Sequence, residues 1–181
     1  GQRRGFEVIW QKGRFQINLV NRWGSKAIEA VTVEPVSAKK WHHLVLSYDG
    51  SRKSVGLKVF LNGKLTALNI LNDTLDDSIA NKEPLRIGRR DSGLGFYGQL
   101  DELRVLQRPT TAEEAGSWFW SERLRGIIAQ PTSKRSSADA TLLQDYFVDH
   151  HADATSKEAH LRVQKAKQAE AALRESIPTT L

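Results

Sequence analysis

The chain has 181 residues with an apolar share of 39% and 13 glycines, the proportions of an ordinary domain with an extension and not of a collagen, a disordered chain or a membrane bundle. No apolar run approaches the roughly 20 residues that a spanning helix needs, and the absence of cysteine excludes a disulfide, a thiolate zinc site, a catalytic thiol and a thioether haem attachment. Lys and Arg outnumber Asp and Glu by 27 to 21, a net charge of +6 that permits weak attraction to a polyanion.

The basic doublets Arg3-Arg4, Lys39-Lys40, Arg52-Lys53 and Arg89-Arg90 are scattered. They form no stripe, so a solvated basic surface is expected and nucleic acid is not.

From residue 6 to about residue 105 the apolar period is two, which places alternate side chains on one face of a strand. Phe15, Ile17 and Leu19 alternate with Gln16, Asn18 and Val20; Leu44, Leu46 and Tyr48 alternate with Val45 and Ser47; Leu57, Val59 and Leu61 alternate with Lys58, Phe60 and Asn62. Turn signals stand between them at Lys12-Gly13, Trp23-Gly24, Asp49-Gly50 and Asn62-Gly63. The last pair tolerates the positive φ angles of a tight hairpin, so residues 57–61 are expected to pair with residues 65–70. Residues 85–88 and 98–106 read as two further short strands. At least six strands with turn punctuation indicate an antiparallel β-sandwich.

After Arg108-Pro109 the pattern becomes helical. Thr110 or Thr111 caps a helix whose first turn carries Glu113 and Glu114, where carboxylates complement the helix dipole. Residues 131–137 are polar and breaker-rich, a linker. Beyond it Leu142, Leu143, Tyr146 and Phe147 mark one helical face, and Ala159, Val163, Ala166, Leu173 and Ile177 another, interrupted by Glu170. That second stripe is too short for a coiled coil and predicts packing against a neighbour. The expected organisation is an all-β sandwich over residues 1–120 and a helical extension over 121–181.

Four motifs in order carry a family resemblance: Trp41-His42-His43-Leu44-Val45-Leu46-Ser47-Tyr48-Asp49-Gly50, Leu57-Lys58-Val59-Phe60-Leu61-Asn62-Gly63-Lys64, Pro84-Leu85-Arg86-Ile87-Gly88, and Gly98-Gln99-Leu100-Asp101-Glu102-Leu103-Arg104-Val105. They resemble the second half of a laminin-G-like module, the concanavalin A-like jelly roll. The tail, with Tyr146-Phe147 and the closing run from Ser176 to Leu181, resembles the helical spacer after such a module in planctomycete-type secreted proteins that join it to a cytochrome c-like domain and domains of unknown function. The resemblance implies a partial jelly roll, apparently cut at both ends, with flanking domains and a secreted or periplasmic setting. No residue here matches a haem site. A sandwich lacking its early strands would leave an apolar face or edge open.

Relatives that hydrolyse glycans set two carboxylates on one strand face about 5–5.5 Å apart. Here Gln99, Asp101 and Leu103 share a face and Glu102 lies opposite, leaving one acid where two are required, so no enzymatic activity is expected. Asp101 instead reads as a hydrogen-bond acceptor for backbone or for Arg104.

His42 and His43, adjacent on a strand, point to opposite faces and cannot converge on one ion. His150-His151 lacks a third ligand. Some modules of this type bind Ca²⁺ through loop carboxylates, which makes Asp73, Asp76 and Asp77, beside Asn72, the one local candidate. Glycan recognition would use exposed aromatic rings beside planar polar groups. Asn21, Arg22 and Trp23 in one turn and Arg90, Asp91 and Tyr97 in a long loop are the candidates. Trp10, Trp41, Trp118 and Trp120 are expected in the core. The implied role is a noncatalytic module binding glycan or protein; the alternatives are a structural spacer with no soluble ligand and a weak polyanion binder.

Overall fold

The structure, a computed structural model, describes residues 4–90 and 95–176. The chain divides into two compact units, Gly1–Phe119 and Trp120–Leu181.

In the first unit, β1 (Gly5–Gln11), β2 (Arg14–Arg22), β3 (Lys26–Thr32) and β7 (Leu68–Asp73) form one antiparallel sheet in the order β1-β2-β3-β7. β4 (Leu44–Tyr48), β5 (Leu57–Leu61) and β6 (Lys64–Thr66) form a second, in the order β4-β5-β6. The hairpins follow from local sequence. Lys12 and Gly13 take φ of 50° and 72°, and Asn62 and Gly63 take 52° and 78°, the paired left-handed geometry that matches strand twist. At Gly63 a side chain would also be crowded, since a Cβ would lie 3.1 Å from Phe119 and 3.3 Å from Gly116 Cα.

Period-two alternation then sorts the faces. Ile17 pairs with Ala30 and Leu19 with Ile28 across the first sheet, while Val59 pairs with Leu46 and Leu57 with Tyr48 in the second. These residues, with Leu75, form the buried core between the sheets. The antiparallel β-sandwich with a C-terminal helical extension is therefore the observed fold.

Three local expectations are corrected. Residues 65–70 do not form one strand: β6 ends at Thr66, Ala67 crosses between the sheets, and β7 pairs with β3. Ala67 O accepts from Val33 N at 2.9 Å, so the crossover is fastened to the end of β3. Residues 85–88 and 98–106 form no strand. A strand exists through ladder bonds to a neighbour, and alternation alone supplies none; an isolated bridge joins Arg89 and Gly95. Trp10 and Trp41 are exposed, because nothing among the described residues covers the faces they occupy; Trp118 and Trp120 are half-buried.

α1 (Ala112–Ile128) begins as expected. Thr111 Oγ1 accepts from Glu114 N at 3.1 Å and Glu114 Oε2 accepts from Thr111 N at 3.0 Å, a reciprocal capping box. Arg108 adds a bidentate pair to Glu114 at 2.9 and 2.6 Å. The Arg108 guanidinium and the Thr111 donors lower the Glu114 carboxyl to about 2. Upstream of this cap, Thr110 N donates to the buried Ser47 Oγ at 2.8 Å, fixing the helix entry to β4.

In the second unit, α2 (Ser137–His151) opens with a Ser136–Asp139 capping box, and α3 (Ala154–Ser176) with Asp153 accepting from Ser156 N at 2.9 Å. Asp145 on α2 meets His160 on α3 at 2.9 Å. Tyr146 stacks between Trp120 and His150, with ring centroids 5.3 and 4.7 Å away. The expected stripes are only partly buried: Phe147, Val163 and Leu173 are exposed, and Ile177 lies outside the described residues. No described helix is long and apolar enough to cross a membrane.

Ile28→Ala, which empties a fully buried site between the sheets, is expected to cost about 2–5 kcal/mol, read by chemical denaturation. Because the folded-state pKa of Glu114 is lowered from 4.5 to about 2, its cap stabilises above the ordinary carboxylate range and that contribution is lost as pH falls through about 2. The difference in Tm between the native chain and Glu114→Gln should therefore be largest at neutral pH and shrink towards pH 2.

Candidate functional site

The face of the first sheet turned away from the core carries a polar row. Glu7 on β1 pairs with Asn18 on β2, Asn18 with Glu29 on β3, and Glu29 with Asn72 on β7. Alternation dictates this placement, because Ile17 and Leu19 must face inward and Asn18 between them cannot. Asn18 is fully buried and so needs its partners. Its Nδ2 donates to Glu7 Oε1 at 2.7 Å, and its Oδ1 accepts from Gln16 Nε2 at 3.1 Å. Glu29 Oε1 accepts from Asn72 Nδ2 at 3.4 Å.

Glu7 in turn holds a residue from the distant loop. Arg90 Nε lies 2.8 Å from Glu7 Oε2 and Arg90 Nη2 donates to Glu7 Oε1 at 3.0 Å, a bidentate pair with both side chains mostly shielded from water. This aims the guanidinium at the β2–β3 turn, where its Cζ stands 5.8 Å from the centre of the Trp23 ring, within cation–π range. Trp23 remains 40% exposed. Further along the loop that carries Arg90, Phe96 N donates to Gly88 O at 2.7 Å, and the next residue, Tyr97, is 98% exposed.

Two candidates that the sequence drew from separate segments, Trp23 and Arg90, are thus brought together. Tyr97 lies on the same loop and Arg22 is exposed at the same turn. Asn21 is not at the surface. It is buried in the β2 bulge, its Nδ2 donating to Ser78 O at 2.6 Å, where it holds the following loop. Asp91 lies outside the described residues. Glu7 and Asn18, which position Arg90, were missed. The available signal was the polar half of the alternation on β1 and β2, with an acid set opposite an amide.

The three aspartates do not converge. Asp73 accepts from Ser54 N and Ser54 Oγ, both at 2.8 Å; Asp76 pairs with Lys26 at 2.8 Å, which lowers its pKa; Asp77 accepts from Ser78 N at 2.7 Å. No group of three or more acidic, histidine or cysteine side chains placed to hold a metal occurs among the described residues, so this donor set as arranged does not fit Ca²⁺.

The histidines are likewise occupied. His42 Nε2 lies 2.9 Å from Ser37 O, while the His43 ring lies 6.0 Å from that of Phe119. His150 and His151 stack on Tyr146 and Phe147 at the end of α2. Asp101 Oδ1 accepts from Glu102 N at 2.9 Å, the backbone bond expected of it, whereas Arg104 pairs with Glu102 at 2.8 Å. A cavity of about 280 Å³ lies where α1 begins, between Ser47, Asp49, Lys58 and Thr110. Its polar groups serve the fold: Ser47 takes Thr110 N, and Asp49 Oδ1 takes Ser51 N at 2.8 Å.

Residues 1–116 match the family described as the concanavalin A-like lectin/glucanases superfamily, of laminin G type. Among solved structures, an S-layer domain-containing protein from Clostridium thermocellum is similar at 16% identity over 64% of this chain, with a TM-score of 0.38. This chain covers 63% of that one, and a likeness at this level carries no argument about function. No curated protein matches the chain at a significant level. Two antiparallel sheets closed over an apolar core, with the family match spanning both, place this chain in the laminin-G-type branch of the concanavalin A-like lectin/glucanase superfamily.

Proposed function

We propose that the module binds a ligand without transforming it, and that the ligand is a glycan met at the Trp23–Arg90 pair, with Tyr97 on the loop that carries Arg90 as a further contact. The observation that carries this reading is the Trp23–Arg90 pair, locked from behind by Glu7. An exposed indole offers a flat apolar face to sugar C–H groups. The guanidinium uses Nε and Nη2 on Glu7 and has further N–H groups to donate to hydroxyls. Because Glu7 fixes Arg90 before any ligand arrives, less side-chain entropy is lost on binding.

A noncatalytic role is supported by the state of the acids. Glu7 is neutralised by Arg90, Glu29 is two strands away across Asn18, and Glu102 is paired with Arg104. None has the paired arrangement that glycoside hydrolysis uses. Calcium has no part in this reading. The resemblance to multidomain secreted proteins supports a secreted or periplasmic setting in which flanking domains supply context and this module supplies recognition.

A glycan array and a low-salt heparin column, each run with the native chain, Trp23→Ala and Glu7→Gln, test the proposal. Saturable, salt-insensitive sugar binding that weakens about two- to tenfold in Trp23→Ala is expected, matching roughly 0.5–1.5 kcal/mol for a lost aromatic contact. Glu7→Gln should weaken binding as well, with a stability cost of about 1–3 kcal/mol from the orphaned guanidinium. Retention that vanishes with salt and ignores Trp23 would replace the reading with polyanion binding. Silence on both would leave a spacer, and turnover of any saccharide would overturn the noncatalytic role.

A further inference from the structure

Leu44, Leu46, Leu57 and Val59 turn to the core, so Val45, Ser47, Lys58 and Phe60 occupy the other face of the second sheet. The first turns of α1 lie on that face. Gly63 at the β5–β6 turn meets Gly116 and Phe119, the His43 ring stands 6.0 Å from that of Phe119, and Thr110 N reaches Ser47 on β4. Val45 pairs with Phe60, and Ser47 pairs with Lys58. Phe60 is buried. At the polar pair, where α1 begins, lies the cavity of about 280 Å³, close to the lower limit of roughly 300 Å³ for small-molecule pockets.

The bonds that serve the fold leave much of the donor capacity of this lining unspent. Ser47 and Thr110 are only 5% and 7% exposed. Ser47 Oγ accepts from Thr110 N but donates to no acceptor among the described residues, and Thr110 Oγ1 has no hydrogen-bond partner among them. Buried hydroxyls are ordinarily paired; here two O–H donors line one cavity with no acceptor from the protein. Lys58 adds an ammonium that forms no ion pair among the described residues. Thr111 and Ala112 bring the N-terminus of the 17-residue α1 to the same wall, where first-turn N–H groups lack intrahelical acceptors and carry partial positive charge. The acids nearby are already engaged. Asp49 takes Ser51 N at 2.8 Å and faces the Lys58 charge, and Glu114 is held by Arg108. A lining dominated by donors is complemented by a ligand rich in acceptors.

We propose that this cavity binds a small oxyanion, a phosphate or carboxylate group seated on the N-terminus of α1 between the Ser47 and Thr110 hydroxyls and the Lys58 ammonium. The hydroxyls and the ammonium each supply a donor to it, and the helix end favours its charge. The site shares no residue with the Trp23–Arg90 pair, so this inference and the glycan reading stand or fall separately.

Titration of the full chain with sodium phosphate and, separately, with sodium acetate at constant ionic strength, followed by the NMR shifts of the Ala112 and Glu113 amides, tests this. A saturable shift is expected with at least one of the two, and the one that saturates at lower concentration identifies the group. Lys58→Gln and Thr110→Val should each weaken that binding at least about fivefold, as loss of a hydrogen bond to a charged group does. Lys64→Gln removes the same charge from an exposed position on β6 outside the lining and should leave the binding unchanged. Lys58 is itself exposed, so Lys58→Gln carries the test should Thr110→Val fold poorly. Shifts that rise linearly with both salts would overturn the proposal and leave the hydroxyls to water. So would a saturable response that Lys58→Gln does not weaken, or that Lys64→Gln weakens equally, since the anion would then be held by general surface charge.

Discussion

The apolar seam between the two sheets is the constraint from which the rest follows. Ile17, Leu19, Ile28 and Ala30 on one layer and Leu57 and Val59 on the other are all buried, and removal of such side chains from water is the main favourable contribution to a sandwich of this size. Once those residues face inward, the period of two leaves no choice for their neighbours. Asn18 must project outward between Ile17 and Leu19, and Glu7 must stand opposite it. The polar row is therefore a by-product of core packing, and the position of Arg90 is a by-product of the polar row.

Electrostatics then gives the loop its direction. A guanidinium held by two hydrogen bonds to one carboxylate, which is itself held by a fully buried amide, has little freedom to turn. Arg90, on the connection that follows β7, is thereby pinned beside the β2–β3 turn. Asn21 reinforces this from the β2 bulge by holding Ser78 O, as does Asn81, whose Nδ2 donates to Arg4 O at 2.6 Å. Surface loops are commonly the least ordered parts of a domain. Here they are fastened to the sheet at several polar points.

Membership of a superfamily that contains both lectins and glucanases fixes the scaffold and leaves the chemistry to the site. The helical unit follows separate rules. It relies on end capping at Ser136 and Asp153 and on a stacked cluster around Tyr146, and much of α3 lies exposed. Its order comes from local hydrogen bonding and from Asp145–His160 more than from a buried stripe.

Much of the architecture was legible in the sequence because it depends on near neighbours. Alternation located β2, β4 and β5, Asn62-Gly63 located a hairpin, and Thr111 with Glu114 located the start of α1. What depended on partners far away in the chain was not legible. Alternation at 98–106 could not reveal whether a ladder partner was available, and residues 65–70 gave no sign that Ala67 would pass the chain to the other sheet. The site divides in the same way. Trp23 and Arg90 were each visible as turn or loop residues, but their meeting depends on a carboxylate at Glu7, 83 positions from Arg90, whose role only the cross-strand register could assign. Sequence determined the period, the turns and the caps, all set by interactions within a few residues; the tertiary structure decided which faces met and which polar groups paired, because those energies exist only once distant segments are side by side.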